Sequence, residues 1–531
     1  MSVLHPRVFD NALASLALVT LMLALAPAAV AQTASSGSSG LTYHVGLDDA
    51  VSDRFRVRLT VEGLPAGSDV LQFAATAPGT YQVMDIGRYV QGLRATGADG
   101  SEIPVERVST NQWRIASPSD VREIAYTVAE TWDTAVEEHP VYPMAGTSIE
   151  ADHVLFNAHA VLGFPAGMQD APVRLDLDLP EGWTVGTALQ IDATGLYAAE
   201  DFDFLVDSPI LAGSALTVAR TDVGGAPVEI YTYAKAGEIR SDMLLESMAA
   251  MLNASADFLG GLPVDRYVFL YHFEDPPRQG APYGAWEHSY SSEYVLPEAP
   301  WSEGYGQAIT DIAAHEFLHI VTPLNIHSEI IEHFDFEKPV PSRHLWLYEG
   351  VTEWGSHMVQ LRAGLKPLDA YLTELVQKIA ADQTQFDPTY PLEKLALTSY
   401  GNDGQAQYGN IYMRGALVAG LLDIRLLELS GGEMDLQDVL LELMERYGKE
   451  EPFDDAGFHR MFVEMTFPEI GDFLERYVVA AEPLPIAEYY RKLGIDYDPE
   501  GPSFMVRENP TPEQAALRAA WMARPAPRPT T

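Results

Sequence analysis

The chain contains no cysteine in its 531 residues. Disulfide scaffolds, thiol nucleophiles and every zinc site built on Cys are thereby excluded, leaving His, Asp and Glu as the strong metal ligands. Basic residues are scarce: 33 Lys and Arg stand against 76 Asp and Glu, a formal net charge of −43. Phosphate backbones are bound by clustered Lys and Arg, so a nucleic-acid partner is excluded as well. Beyond the amino-terminal segment, no apolar stretch approaches the roughly 20 residues that a membrane-spanning helix needs. What is present is a globular balance, 47% hydrophobic and 21% charged, in a chain long enough for about three domains and a deep core.

Residues 1–31 read as a secretory signal. His5 and Arg7 precede an apolar stretch from Ala12 to Ala31, interrupted by Ser15, Thr20 and Pro27. It closes on Ala29-Val30-Ala31 before Gln32, the small-x-small end that signal peptidase accepts. The alternative is an uncleaved membrane anchor. The expectation is an exported protein, periplasmic or secreted, without stable membrane insertion after cleavage. Residues 32–40, ending Ser38-Ser39-Gly40, read as a flexible linker.

The character of the chain changes near residue 230. From Leu41 onward, short alternating segments such as Phe55-Arg56-Val57-Arg58-Leu59-Thr60-Val61 and Val173–Leu179 are bounded by Gly, Pro or Asp. Their period of two predicts half-buried strands and an amino-terminal antiparallel β-domain over 41–230. After Ala236 the period lengthens: Met243, Leu244, Met248, Met251 and Leu252 fall at helical spacing and stop at Gly260-Gly261. A strand is expected at Tyr267–Tyr271, and beyond residue 300 the pattern is mostly helical, as in Gly415–Leu429 and Leu436–Tyr447. Residues 231–500 therefore form a second, mostly helical domain, and 501–531 an extension with a disordered Pro-rich end.

One motif carries chemistry. His315-Glu316-Phe317-Leu318-His319 is an HExxH pattern. Histidines at i and i+4 stand on one helical face, where both imidazoles reach a single metal. Glu316 is rotated about 100° from His315 and flanks the metal, where it takes a proton from water. Ile309, Ile312, Ala313, Phe317 and Ile320 supply the buried face, and Pro323 is the expected stop. A catalytic zinc needs a third protein ligand and an open position. Thr322 and Asn325 stand where the metzincin continuation needs Gly and His, so that class is out. Of the downstream acids Glu329, Glu332, Glu337, Glu349 and Glu353, the first three lie near Pro339 and Pro341 in an expected loop. Glu349 sits in a helix-like run, Leu345–Trp354, and is the favoured ligand. Glu353, one turn on, either orients a ligand imidazole through its second nitrogen or is a solvated carboxylate.

His315-Glu316-x-x-His319, with Glu349 after twenty-nine intervening residues in Trp346-x-x-Glu349-Gly350-x-Thr352, resembles the glycyl aminopeptidase family of gluzincin zinc metallopeptidases. Ala77-Pro78-Gly79-Thr80-Tyr81 with Asp85 resembles that family's PGxY turn, Gly284-Ala285-Trp286-Glu287-His288 its GGLEH segment, and Tyr412-Met413-Arg414-Gly415-Ala416 its Y-x-K-G-A stretch. The resemblance implies an α+β multidomain protein, an antiparallel β-domain followed by a thermolysin-like catalytic domain. It further implies one zinc ion per chain on His315, His319 and Glu349, Glu316 as the base, and Tyr412 as donor to the oxyanion. Glu287 would hold a free α-ammonium, with Gly284 and Ala285 in the substrate site and His288 supporting Glu287. Two departures stand out. The stretch after Gly494 is too short for the PDZ domain that many members carry, and Ala285-Trp286 replaces Gly-Leu, altering the first specificity pocket. The expected activity is removal of the first residue of peptides, small ones such as Gly or Ala included. A zinc endopeptidase with the same site, or a non-catalytic peptide- or metal-binding protein, are the alternatives.

Overall fold

Strand alternation in the first half of the chain is realised as a sheet with one buried face. In a computed structural model of the protein, the described residues are 40–47, 53–136, 138–274, 283–449 and 451–523. The expected signal at 1–31, the linker up to residue 39 and the Pro-rich end from 524 lie outside them. Strands β1 (Leu41–Leu47), β2 (Arg54–Thr60), β3 (Val90–Gly97), β4 (Val121–Ala129) and β5 (Val173–Asp178) form the body of an eight-stranded sheet. In β2, Phe55, Val57 and Leu59 are buried while Arg56, Arg58 and Thr60 face outward, as the period of two requires. The sheet is not purely antiparallel as expected: β1 and β5 run parallel, Leu41 opposite Val173. Two four-stranded sheets cover its apolar face, and Phe73 packs edge-on between Trp113 and Tyr126 at 5.1 Å from each.

The second half opens with a mixed sheet. Its strands are β6 (Thr217–Val223), β7 (Ala226–Ala234), β8 (Tyr267–Phe273), β9 (Gly284–His288) and β10 (Ser291–Leu296), in the order β6-β7-β8-β10-β9. Helix α1 (Ser241–Leu259) makes the crossover between the parallel strands β7 and β8. All seven residues of β8 are buried, as a central strand covered on both faces demands. Ala212 belongs to the first hydrophobic core and Val223 to the second, and Trp286, Phe334 and Phe336 return to the first. Strands β6 and β7 alternate like the strands before them, and alternation does not say which sheet a strand joins.

Helices follow: α2 (Glu303–Leu318), a π-helical turn Trp346–Val351 running into α3 (Thr352–Ala363), α4 (Leu368–Thr384) and α5 (Asn410–Ser430). Glycines in the left-handed region at 260, 364 and 431 end α1, α3 and α5. Gly350 and Gly415 let the π-helical turn and α5 meet backbone to backbone, since a Cβ on Gly350 would lie 2.7 Å from Gly415 Cα. No helix among the described residues is long and apolar enough to cross a membrane.

The described part of the carboxy-terminal extension packs onto the helical core. Residues 503–506 pair with 495–498, and helix α6 (Pro512–Trp521), closed by a Thr511/Gln514 capping box, buries Trp521 in the helical core. The Trp521 carbonyl accepts from Arg362 Nε at 3.1 Å, and the Arg362 guanidinium also meets Asp435 at 2.8 Å and Asp423 at 3.3 Å. Removing one member of a buried ion pair strands the other charge and costs about 3–5 kcal/mol. Arg362→Met is therefore expected to lower the thermal midpoint by several degrees in a calorimetric scan; an unchanged midpoint would show that α6 docks without it.

Candidate metal centre and surrounding pocket

The helix that carries His315 and Glu316 is fixed at both ends. Ser302 Oγ accepts from Tyr305 N–H at 3.1 Å to start α2, and Phe317 anchors its buried face against Tyr267 at 4.9 Å between ring centroids. The helix stops at Leu318 rather than running to Pro323. His319 is the C-cap residue, still right-handed at φ −61° and ψ −16°, so the i, i+4 relation survives and the two rings lie 4.8 Å apart. The early stop has a consequence: the chain folds back and brings the Thr322 carbonyl to His319 Nδ1 at 2.9 Å.

Glu349 enters from the π-helical turn. Its Oε2 lies 3.2 Å from His315 Nε2 and 3.5 Å from His319 Nε2. Donors about 2.0–2.2 Å from a tetrahedral zinc sit about 3.3–3.6 Å from one another, so this spacing fits the ion. The ring orientations fit as well. His319 Nδ1–H donates to Thr322 O and His315 Nδ1–H donates to Glu353 Oε2 at 2.8 Å, which turns both Nε2 lone pairs toward Glu349. The three groups are buried and their ligand atoms lie within 4.8 Å of one another, consistent with a zinc site.

Charge around these donors is arranged in two layers. Behind His315, Glu353 is met by Lys378 and by His357 Nε2 at 3.2 Å, and His357 Nδ1 meets Lys366 at 2.8 Å. Burial would raise the Glu353 pKa, but Lys378, His315 and His357 hold it well below the usual carboxylate range. Burial also opposes charge on His315, yet Glu349 and Glu353 outweigh it and hold its pKa well up; burial pushes His319 down to about 4. In front, burial pushes Glu316 up to about 8, with Glu349 and Glu353 adding to the rise and His315 opposing it. Burial, Glu349 and Glu316 push Glu287 well up in the same way.

A small pocket of about 70 Å³ opens on the metal donors. Glu316, Glu287, Ala285 and Tyr412 line it, together with Tyr408. Burial, then Glu349, raises the Tyr412 pKa well above its ordinary value, so the phenol is a neutral donor; its ring sits 5.5 Å from that of His315. The rest of the wall comes from the amino-terminal half: Gly79, Thr80, Tyr142, Met144 and Ala145. Gly79 abuts the site so closely that a Cβ there would lie 2.7 Å from Trp286 Nε1 and 2.8 Å from Glu287 Oε1.

Two expected residues stand elsewhere. His288 lies on the face of β9 opposite Glu287, with its Nδ1 3.5 Å from Asp207 and its ring 4.4 Å from Trp286, so it does not line the pocket. Gly284 does not line it either; its missing Cβ leaves room for the Met144 methyl. Trp286 is buried in the core of the amino-terminal half, its Nε1–H donating to Pro78 O at 3.1 Å, and it borders the pocket by its edge. Tyr408 was missed although its i−4 relation to Tyr412 was readable. For Met144, Ala145 and Lys378 no local signal exists.

The comparisons with known proteins agree with this geometry. The profile "Peptidase M61 N-terminal domain" matches residues 42–214 and "M61 glycyl aminopeptidase" matches 308–418, together just over half of the chain. A crystal structure of an aminopeptidase N family protein from Idiomarina loihiensis superposes with a TM-score of 0.75 at 21% identity, covering 86% of this chain and 78% of that one. An M1 zinc metallopeptidase variant from Deinococcus radiodurans, bound to a Tyr-Ser-Ala substrate, gives 0.51 at 13%, with 84% and 95% covered. Native yeast LTA4 hydrolase gives 0.51 at 12%, with 85% and 70% covered. At these identities the likeness is one of fold. Among curated proteins there is no match.

Glu353→Gln is expected to weaken metal retention by about 10–100-fold, the usual effect of losing a carboxylate that orients a ligand imidazole. Competition with a graded chelator measures it. Retention equal to wild type would mean that Glu353 serves only to neutralise Lys378.

Proposed function

Because the chain belongs to the M61 glycyl aminopeptidase family, and is in that sense a zinc metallopeptidase, we propose that it is an exported aminopeptidase releasing small first residues from peptides, with one zinc held by His315, His319 and Glu349. Peptides are its substrates. Export rests on the signal-like residues 1–31.

One observation carries the exopeptidase reading. A carboxylate oxygen of Glu287 lies within 4.8 Å of ligand atoms of Glu316 and His319. In a peptide, the α-nitrogen is two bonds from the first carbonyl carbon, about 2.5 Å away. An ammonium paired with Glu287 therefore brings the first peptide bond, and no later one, over the metal donors. A chain continuing past that point would leave the buried carboxyl without its counter-charge.

When bound, zinc supplies Lewis acidity toward the scissile carbonyl and lowers the pKa of water. The side chains do the rest. Glu316 takes a proton from the attacking water and delivers it to the departing amine. Tyr412 O–H hydrogen-bonds the developing oxyanion, and burial in a closed pocket strengthens that bond. Glu353 holds the His315 tautomer throughout.

Glu316→Gln should keep its zinc by atomic absorption and lose about 10²–10⁴ in turnover; turnover at the wild-type rate would remove Glu316 as the base. Tyr412→Phe should cost about 10²–10³ in kcat with little change in KM. N-acetylation of a short peptide should abolish its cleavage in a mass-spectrometric assay. Equal cleavage of free and acetylated peptide would take Glu287 out of this role and make the enzyme an endopeptidase.

A further inference from the structure

Tyr142, Met144 and Ala145 of the amino-terminal half line the pocket, and the backbone of this turn is held by buried side chains. Pro143 O accepts from Trp132 Nε1 at 2.9 Å. Asn157 Nδ2 donates to Met144 O at 3.2 Å and to Gly146 O at 2.9 Å. His159 Nε2 donates to Ala145 O at 2.9 Å; burial pushes this ring down to about 3, so it is a neutral donor. Four successive carbonyls are thus engaged. The clamp is also registered to the catalytic sheet, because Asn157 Nδ2 reaches Glu293 Oε2 on β10 at 3.1 Å, opposite Trp286 on β9.

A wall so held delivers one side chain to a fixed place. Met144 Cε lies 2.6 Å, and its Sδ 2.9 Å, from the point a Cβ on Gly284 would occupy. The thioether is pressed onto β9 at Gly284, and Met144 lines the pocket together with Ala285 and Glu287. Met144, Ala145 and Ala285 are the small or flexible apolar side chains of the pocket that Glu287 also lines.

We infer that Met144 sets the size of the side chain accepted at the first residue of the peptide. The inference rests on the aminopeptidase reading above and assigns its selectivity to a residue outside the catalytic half. Methionine is unbranched and adaptable, so it grades side chains by size rather than excluding one class outright.

The test is the ratio of kcat/KM for leucine and glycine 4-nitroanilides, with alanine and phenylalanine completing the panel, on the zinc-loaded full chain. Met144→Ala should raise the leucine-to-glycine ratio by about 10-fold or more, chiefly through KM, since it removes more than one methylene-sized obstruction. Met144→Leu, close in volume, should keep the ratio within about threefold of wild type. A Met144→Ala ratio within about twofold of wild type, with zinc content and melting unchanged, overturns the inference and leaves the aminopeptidase reading standing. Wild-type enzyme that hydrolyses none of the four anilides defeats both.

Discussion

Four glutamates crowded into one small region are the constraint on which the rest of this structure depends. Glu287, Glu316 and Glu349 are buried around the two histidines, and Glu353 is half-buried behind them. An isolated carboxylate in such surroundings gives up its charge, so each must meet a cation or a hydrogen-bond donor. The chain solves this on one side only. Behind His315, Lys378, His357 and Lys366 neutralise Glu353 and Glu374 with direct contacts. Facing the pocket, none of the lining residues is a lysine or arginine. The permanent cations sit behind His315, and the carboxylates on the pocket face are left without one.

That asymmetry requires backbone placement that side chains alone do not achieve. Gly350 and Gly415 allow the π-helical turn and α5 to touch, and the same contact fixes Glu349 one residue before the first glycine and Tyr412 three before the second. On the other side, Gly79 lets the turn at Pro78 lie against Trp286 and Glu287. Trp286 is the joint between the halves: its backbone belongs to the edge strand of the catalytic sheet, while its ring is buried among residues of the amino-terminal core.

Legibility of these features in the sequence followed the range of the interactions behind them. The HExxH helix and α1 were readable because i, i+4 contacts are local, and β2 because alternation is local. Glu329 and Glu332, read as loop residues because of Pro339 and Pro341, lie in a short helix instead, so the prolines alone do not separate Glu349 from its rivals. The side on which β6 and β7 pack was not readable, since alternation is blind to sheet partner. The π-helical turn leaves no periodic trace. His288 is instructive in a different way. Strand parity puts neighbours on opposite faces, so a strand carrying Glu287 into the pocket had to carry His288 away from it. Lys378 and the carbonyl clamp on residues 143–146 depend on partners far along the chain.

The division of labour between the halves then has a physical rationale. The His315/His319/Glu349 cluster and Glu316 come from helical segments, whose rigidity suits the sub-ångström placement that a zinc site demands. The pocket's reach comes from the β-domain, whose turns at 79–80 and 142–145 close over the donors. The carbonyls of the second turn already have buried partners. Displacing them would leave those donors and acceptors unpaired at about 1–3 kcal/mol each. The helices thus hold the His–Glu cluster, while turns of the β-domain complete the wall of the pocket that opens on it.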